Sequence, residues 1–466
     1  MLLEGGLGLH ACSFSVYCAI FIFIWSLFLW ETYINFRQLK VAKKVTESPE
    51  EVRRFMNDVE FDKSRRYAID KMNFAIISGF YNILSLSAIL HFQLIAWVWH
   101  KSQEHVLFIF SHVPGSFNVT ERNEILFSLL FTVYVALFQF LESLPWSYYR
   151  HFVIEERYGF NKQTIGFFAK DRLKSLAVGL VIGLPIVSML VWIINAGGHY
   201  FYIYAYGFTF VVSFIIMFVY PEFIAPIFDH YECFPDCELR KKIEELAVSI
   251  EFPLKKLYVV EGSKRSSHSN AYFYGFGKNK RIVLFDTLIK GFKMPGANVD
   301  EKSDETQNRG CGDDEEILAT LAHELGHWKL KHVTFNLIIA QINIFLMFFA
   351  FGQLVNVDHL FVDFGFPPST APTLIRLIVV FQFVFMPYSS VLEFLLTMIS
   401  RKFEFQADAF AVGLKSGEKL KSALLVLTKD NLSFPIYDWL YSMCTHSHPP
   451  VMERLAAIDA KMAKKD

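Results

Sequence analysis

The chain is short of charge and of paired cysteines. Of 466 residues, only 20% are Asp, Glu, Lys or Arg, against 53% hydrophobic and 17% aromatic. A soluble domain carries about 25% charged and about 45–50% apolar residues, so the balance is displaced on both axes. That displacement excludes an intrinsically disordered chain. The net charge of −1 supplies no basic field, and no nucleic-acid partner is expected. None of the six cysteines falls in a CxxC pair, which excludes a disulfide-stapled secreted module and a four-cysteine zinc site. Cys233 and Cys237 come nearest to a metal spacing but lack a second pair.

What the chain has instead is phenylalanine, 50 residues of it, gathered in long apolar runs. A helix crossing a bilayer needs about 20 mostly apolar residues. Seven stretches qualify: Cys12–Trp30, Phe74–Trp99, Ile125–Leu144, Leu176–Asn195, Phe201–Tyr220, Phe335–Val355 and Leu374–Met398. The first lacks a basic flank and a small-residue cleavage site, so it reads as a span rather than a signal peptide.

Lys and Arg concentrate in cytosolic loops. Segment 1–11 has none, loop 31–73 has ten, loop 100–124 two, loop 146–174 six, and loops 196–200 and 356–373 none. That alternation predicts a lumenal N-terminus and a cytosolic C-terminus. The sequon Asn118-Val119-Thr120 falls in a lumenal loop on this reading. The expected organisation is a membrane region 1–220 with five spans, a cytosolic polar region 221–334, two further spans in 335–398, and a cytosolic tail 399–466.

Region 221–334 reads as mixed α/β. A helix is expected near Glu238–Ile250, with strands at Lys256–Val260, around Ser269–Tyr274 and at Arg281–Phe285. Gly275 to Lys280 has the composition of a hairpin turn. The acidic run 296–312 has almost nothing to bury and is expected to be a disordered surface loop.

Directly after it stands His323-Glu324-Leu325-Gly326-His327, an HExxH motif in a helical context. Four residues is about one helical turn, so both imidazoles face one Zn²⁺. Glu324 then lies beside the attacking water as its general base. Chance alone yields this motif in roughly 2–3% of such chains. His332, five beyond His327, is read as a surface histidine.

A catalytic zinc needs a third protein ligand on the same side of the membrane. Glu404 and Asp408, four apart just after the last span, supply one: Glu404 to ligate zinc, Asp408 to hold a ligand histidine by its other ring nitrogen. A solvated acidic helix face is the plainer alternative. With two spans between His327 and Glu404, the zinc is expected close to the bilayer. Within the spans, Glu142, Glu393, Asn336, Gln341 and Asn343 are expected to line a polar interior. Hydrogen bonding between helices is the alternative for the amides.

HELGHW, Phe403-Glu404-Phe405-Gln406-Ala407-Asp408-Ala409-Phe410-Ala411, Ser269-Asn270-Ala271-Tyr272 and Ser447-His448-Pro449-Pro450-Val451-Met452-Glu453-Arg454-Leu455 together resemble the integral-membrane CAAX prenyl protease type I family. Glu31-Thr32-Tyr33 with Arg37-Gln38, and Phe152 to Asn161, agree as well. The resemblance covers nearly the whole chain. It implies a mainly α fold of seven transmembrane helices in a chambered barrel, capped by a cytosolic zincin-like α/β metalloprotease domain. It also implies one zinc ion held by His323, His327 and Glu404, with Glu324 as base and acid. His448 and Arg454 would contact substrate or oxyanion, with His446 standing where an aromatic residue is expected. Asn270, Ala271 and Tyr272 would pair with substrate backbone. The implied partners are prenylated C-terminal CaaX polypeptides and membrane lipid. The implied reaction removes the last three residues, with a second upstream cut in some members. The endoplasmic reticulum membrane is the implied location, with the inner nuclear membrane beside it.

Two other functions compete at this level. An HtpX-like quality-control protease would share the zinc motifs but have fewer spans. A zinc transporter or channel-clearing protein would place its ligands inside the spans and need no base.

Overall fold

The computed structural model describes residues 15–112, 123–268, 270–275, 277–292 and 309–464. The sequon, the start of the first expected span and most of the acidic run lie outside the described residues.

Six helices are long and apolar enough to cross a membrane: Val16–Lys44, Asp58–His91, Glu124–Glu155, Ile165–Ala196, Gly198–Phe228 and His332–Leu354. A seventh span is made by Thr373–Val384 and Met386–Gly413, which meet at 55°. The bend sits at Phe385, where a π-helical turn, Val379–Val384, hands over to Met386-Pro387. Proline at the start of the second piece lacks the N–H that would continue the ladder.

One expected span is corrected. The run Phe74–Trp99 does not make one helix: it ends at His91, Gln93 adopts φ +50°, and a separate helix Leu94–His112 follows. That helix packs along Glu124–Tyr149. Hydropathy continues across the break, and an apolar run alone does not reveal where a chain turns.

The helices contact one another in ring order. Val16–Lys44 packs on Asp58–His91, Glu124–Tyr149 on Ile165–Ala196, that helix on Phe201–Val219, and the latter on His332–Leu354. In the most apolar window of each of the six spans only 6–17% of residues are buried, while Ile20, Ile83, Phe127, Val191, Phe351 and Val380 join the helices in one apolar core. A cavity of about 780 Å³ opens between Leu86, Trp97, Phe131, Phe138, Glu142 and Met386. Glu142 thus lines the interior as expected, accepting a hydrogen bond from Ser85. Gln341 and Asn343 instead bond between helices, Gln341 to Ser213 at 3.2 Å and Asn343 to the Tyr388 hydroxyl at 2.8 Å.

The cap on the membrane helices holds a four-stranded sheet in the order β1-β2-β4-β3. Strand β1 is Tyr231–Cys233, β2 Leu254–Val260, β3 Ala271–Tyr274 and β4 Lys280–Phe285. β2 and β4 run parallel, while β3 lies antiparallel on β4 and forms one edge of the sheet. The turn from β3 to β4 requires glycine: Gly275 has φ +105°, and a Cβ there would stand 2.0 Å from the Asn279 carbonyl oxygen.

Beneath the sheet, Val259, Ile282 and Leu284 meet Ile317, Leu321 and Leu325 of helix Asp314–Lys329 in one apolar core. The acidic run is not surface to its end. Cys311 is 2% exposed and bridges to Ile289, because burying its thiol in that core outweighs the polarity of its neighbours.

A candidate metal centre at the membrane face

Helix Asp314–Lys329 carries the HExxH motif. Asp313 caps it by accepting from the Glu315 N–H, and Asp314, Glu315 and Glu316 face its dipole in the first turn. At its far end Lys331 adopts φ +60°, turning the chain into span His332–Leu354. Helix Met386–Gly413 crosses the motif closely at Gly326. A Cβ there would lie 3.1–3.3 Å from Phe410 and from the Ala407 backbone. The glycine lets the Glu404 helix approach the two histidines.

The three expected ligands converge. His323 Nε2 and His327 Nε2 are 3.3 Å apart; His323 Nε2 lies 3.4 Å from Glu404 Oε2 and His327 Nε2 3.3 Å from the other oxygen, Oε1. Ligands about 2.0–2.1 Å from a tetrahedral ion stand about 3.3–3.4 Å from one another. With one atom offered by each residue, the three ligand atoms lie within 4.8 Å of one another, close enough to share one such ion. Glu404 is 3% exposed, and the groups facing its carboxylate are ring nitrogens of His323, His327 and His448, with Arg454 Nη1 farther off at 3.6 Å. A buried carboxylate held among imidazole nitrogens is a cation's donor set.

The outer nitrogens of the rings fix which nitrogen carries a proton. His323 Nδ1 lies 2.8 Å from Asp408 Oδ1, so it donates and leaves Nε2 free for metal. Burial alone would lower the His323 pKa, but the bonds to Asp408 and Glu404 outweigh it and push it up to about 9. His327 is held by His332, contrary to the expectation of a surface histidine. His332 is 4% exposed, with Nδ1 3.0 Å from His327 Nδ1 and Nε2 3.0 Å from Gln406 Oε1. If Nε2 donates to Gln406, His332 Nδ1 accepts from His327 Nδ1–H, and His327 Nε2 keeps its lone pair for metal. The sequence gives no signal for this, because the reversal at Lys331 is what brings His332 back over His327.

Arg454 is 8% exposed and turned inward: its Nε and Nη2 donate to Asp408 at 2.9 and 2.6 Å. Its Nη1 stands 3.6 Å from Glu404 Oε2. His448 remains open, and its Nδ1 lies 2.9 Å from Glu404 Oε2. His446 packs edge-on against Tyr437 and Tyr441, and burial pushes its pKa down to about 4. Of the two histidines, His448 is the one at the centre.

Glu324 shares a pocket with His327, Asn336, Tyr272 and Phe273. Burial pushes its carboxyl above the usual range, with His323 and His327 pulling the other way. Asn270 is exposed at the head of edge strand β3, where its carbonyl accepts from Phe285 N–H at 3.1 Å. Ala271 is buried beneath the strand, and the Tyr272 hydroxyl lies 3.2 Å from that of Tyr231. Arg37 and Gln38, at the end of the first span, grip the tail that presents His448. Arg37 pairs with both oxygens of Asp438, and Gln38 bonds to Ile436 O and Asp438 N.

Residues 38–230 match the family model for the CAAX prenyl protease N-terminal region with five membrane helices, and residues 235–462 match peptidase family M48. The chain belongs to the CAAX prenyl protease family. It is similar to the CAAX prenyl protease 1 homolog of Taenia solium, with 87% identity over 99% of both chains. The Homo sapiens homolog is 47% identical over 95% of each. The crystal structure of S. mikatae Ste24p superposes with a TM-score of 0.83 at 33% identity, covering 96% of this chain and all of that one. The chain is a multi-span membrane metalloendopeptidase.

Proposed function

We propose that this protein removes the C-terminal aaX tripeptide from prenylated CaaX polypeptides, with a second upstream cut of a farnesylated precursor within its reach. The observation that supports this best is a His323–His327–Glu404 triangle close enough to share one ion, with Glu324 beside it, set where the ring of helices meets an edge strand.

The ion of this reading is Zn²⁺, held by His323, His327 and Glu404. When bound it polarises the scissile carbonyl and makes water nucleophilic near neutral pH. Glu324 takes a proton from the attacking water and returns it to the leaving amine, a role favoured by a carboxyl whose proton affinity burial has raised. Asp408 holds the His323 ring, and Arg454 holds Asp408, so Arg454 is a positioning residue here. His448, open to solvent, provides the donor for the oxyanion that develops on the carbonyl.

Substrate backbone adds to edge strand β3 along Asn270, Ala271 and Tyr272. The prenyl tail lies in the apolar space of the helical ring, with surrounding lipid as its source. The N-terminus faces the lumen and the catalytic cap the cytosol of the endoplasmic reticulum membrane, with the inner nuclear membrane continuous with it. A transporter would place its ligands within the spans, whereas two of the three here are on helix Asp314–Lys329 outside them.

The test is hydrolysis of matched farnesylated and unprenylated CaaX peptides by detergent-purified protein. Release of a tripeptide from the farnesylated peptide alone is expected. Equal cutting of both would replace this reading with general membrane-protein quality control.

A further inference from the structure

Beside the metal centre lies a second cavity, of about 660 Å³, with an excess of positive charge. Lys71, Arg150 and Arg172 line it together with Glu155, His268 and Asn431. Its other cation, Arg265, is neutralised by a two-point bond to Asp171. Glu155 is already engaged, accepting from the Tyr67 hydroxyl and facing His268 Nε2 at 3.6 Å. Arg150 and Arg172 have no ion-pair partner among the described residues, and Lys71, 4.0 Å over the Tyr67 ring, interacts with Glu155 without a direct bond. Arg172 Nε is also buried with no acceptor, its guanidinium lying over Phe168. Three cations, two of them unpaired, around a cavity at the membrane face call for an anion.

Two observations connect this cavity to the scissile bond. Asn431 and Ser433 line both it and the adjoining pocket that contains His448 and Arg454. The second is the direction of the edge strand. β3 runs from Ala271 to Tyr274, and Tyr272 and Phe273 border the pocket of Glu324 and His327. A peptide added antiparallel to β3 runs the opposite way. Its residues beyond the scissile bond therefore head towards Asn270 and His268. His268 lies four positions before Tyr272 and within the basic cavity, at most about 13 Å of extended chain away. Three extended residues cover about 10 Å.

We propose that the cavity of Lys71, Arg150 and Arg172 binds the free C-terminal carboxylate of the substrate, and so sets the cut three residues from the chain end. Arg172 is the principal contact, because its guanidinium, steadied over Phe168, matches a carboxylate with two parallel N–H donors and no carboxylate of the protein claims it. Asn431, 2.9 Å from His268 Nδ1, stands at the passage between the two cavities. This inference rests on the proposed tripeptide release.

The experiment compares farnesylated CaaX peptides ending in a carboxylate and in a carboxamide. It uses the full-length protein and its Arg172→Ala, Arg172→Lys and Arg150→Ala variants. The expected result is at least a tenfold preference of the unmodified protein for the carboxylate, residing in KM. Arg172→Ala should reduce that preference to near unity, and Arg172→Lys should restore part of it. Equal KM for acid and amide in the unmodified protein would overturn the carboxylate site while leaving tripeptide release intact. The same would follow if Arg172→Ala slowed both peptides alike and anionic phospholipid restored the rate, since the cavity would then hold a lipid phosphate. Failure to cut either peptide would overturn the proposed function and this inference together.

Discussion

His332 determines whether His327 can serve as a ligand. Its ring sits between His327 and Gln406, so its loss leaves the outer nitrogen of His327 without a fixed partner. Removal of such supporting groups costs about 10–100-fold in metal affinity. His332→Ala is accordingly expected to weaken zinc binding by that factor, measured by competition with a chromophoric chelator. An unchanged affinity would show that His327 needs no support. His323 gives the pH dependence. Its metal-free pKa of about 9 lies above neutrality, so zinc displaces a proton at pH 7. Apparent zinc affinity should therefore rise as pH is raised from 7 to 9, by up to about tenfold per unit, and level off above 9. A flat profile over that interval would contradict the assignment. At this scale the sequence was legible where spacing on one helix decides the chemistry: His323, Glu324 and His327 share one turn, as do Glu404 and Asp408. It took His332 for a surface histidine and was silent on Gln406, since the two meet only through a left-handed residue at Lys331. It gave no sign that Arg454 turns inward, because that turn depends on the buried Asp408 rather than on local pattern.

Among the elements, the crossing of helix Asp314–Lys329 with helix Met386–Gly413 sets the ligand triangle. Gly326 is the point of contact, and a Cβ would already need its neighbours to give by a few tenths of an ångström. Gly326→Val adds two more carbons against the Ala407 backbone. It should separate the helices, reduce zinc affinity at least tenfold and destabilise the cap by about 1–3 kcal/mol. Zinc titration together with thermal unfolding measures both effects, and a variant with native affinity would show that the crossing tolerates a wider gap. The strands of the cap were legible because each alternates or runs apolar between turn residues, and β2, β3 and β4 fall within two residues of their expected positions. The break at Phe92–Gln93 was not. A turn inside a continuous apolar run leaves no mark in hydropathy, and it is stabilised by distant contacts such as Gln93 with Asp363.

For the whole molecule, the ring of helices is what separates this protein from a soluble zinc peptidase. Its spans expose apolar residues, and Glu142 faces the cavity between them. A cysteine placed at position 142 of a cysteine-free protein should react with a small water-soluble thiol reagent. Reaction only with lipid-soluble reagents would mean the cavity is filled by lipid rather than water. The ring also accounts for the length of the chain. The HExxH helix and the Glu404 helix are joined by a hairpin through the membrane, and the first span holds the tail through Arg37 and Gln38. The metal site is thus assembled from both ends of the chain around the membrane region, and the number and order of spans were legible from hydropathy because lipid imposes them. The cavity was not, since bundles with and without one can share the same apolar runs.

The central claim is that the triangle of His323, His327 and Glu404 holds one zinc ion and that Glu324 moves the proton. The measurement that tests it most directly is tripeptide release from a farnesylated CaaX peptide by metal-stripped protein as zinc is added back, with Glu324→Gln alongside. Activity should return in full at one zinc per chain. Glu324→Gln should bind the same single zinc yet lose about 10²–10⁴-fold in rate. Recovery without zinc, or a Glu324→Gln protein that cuts at the native rate, would contradict the account.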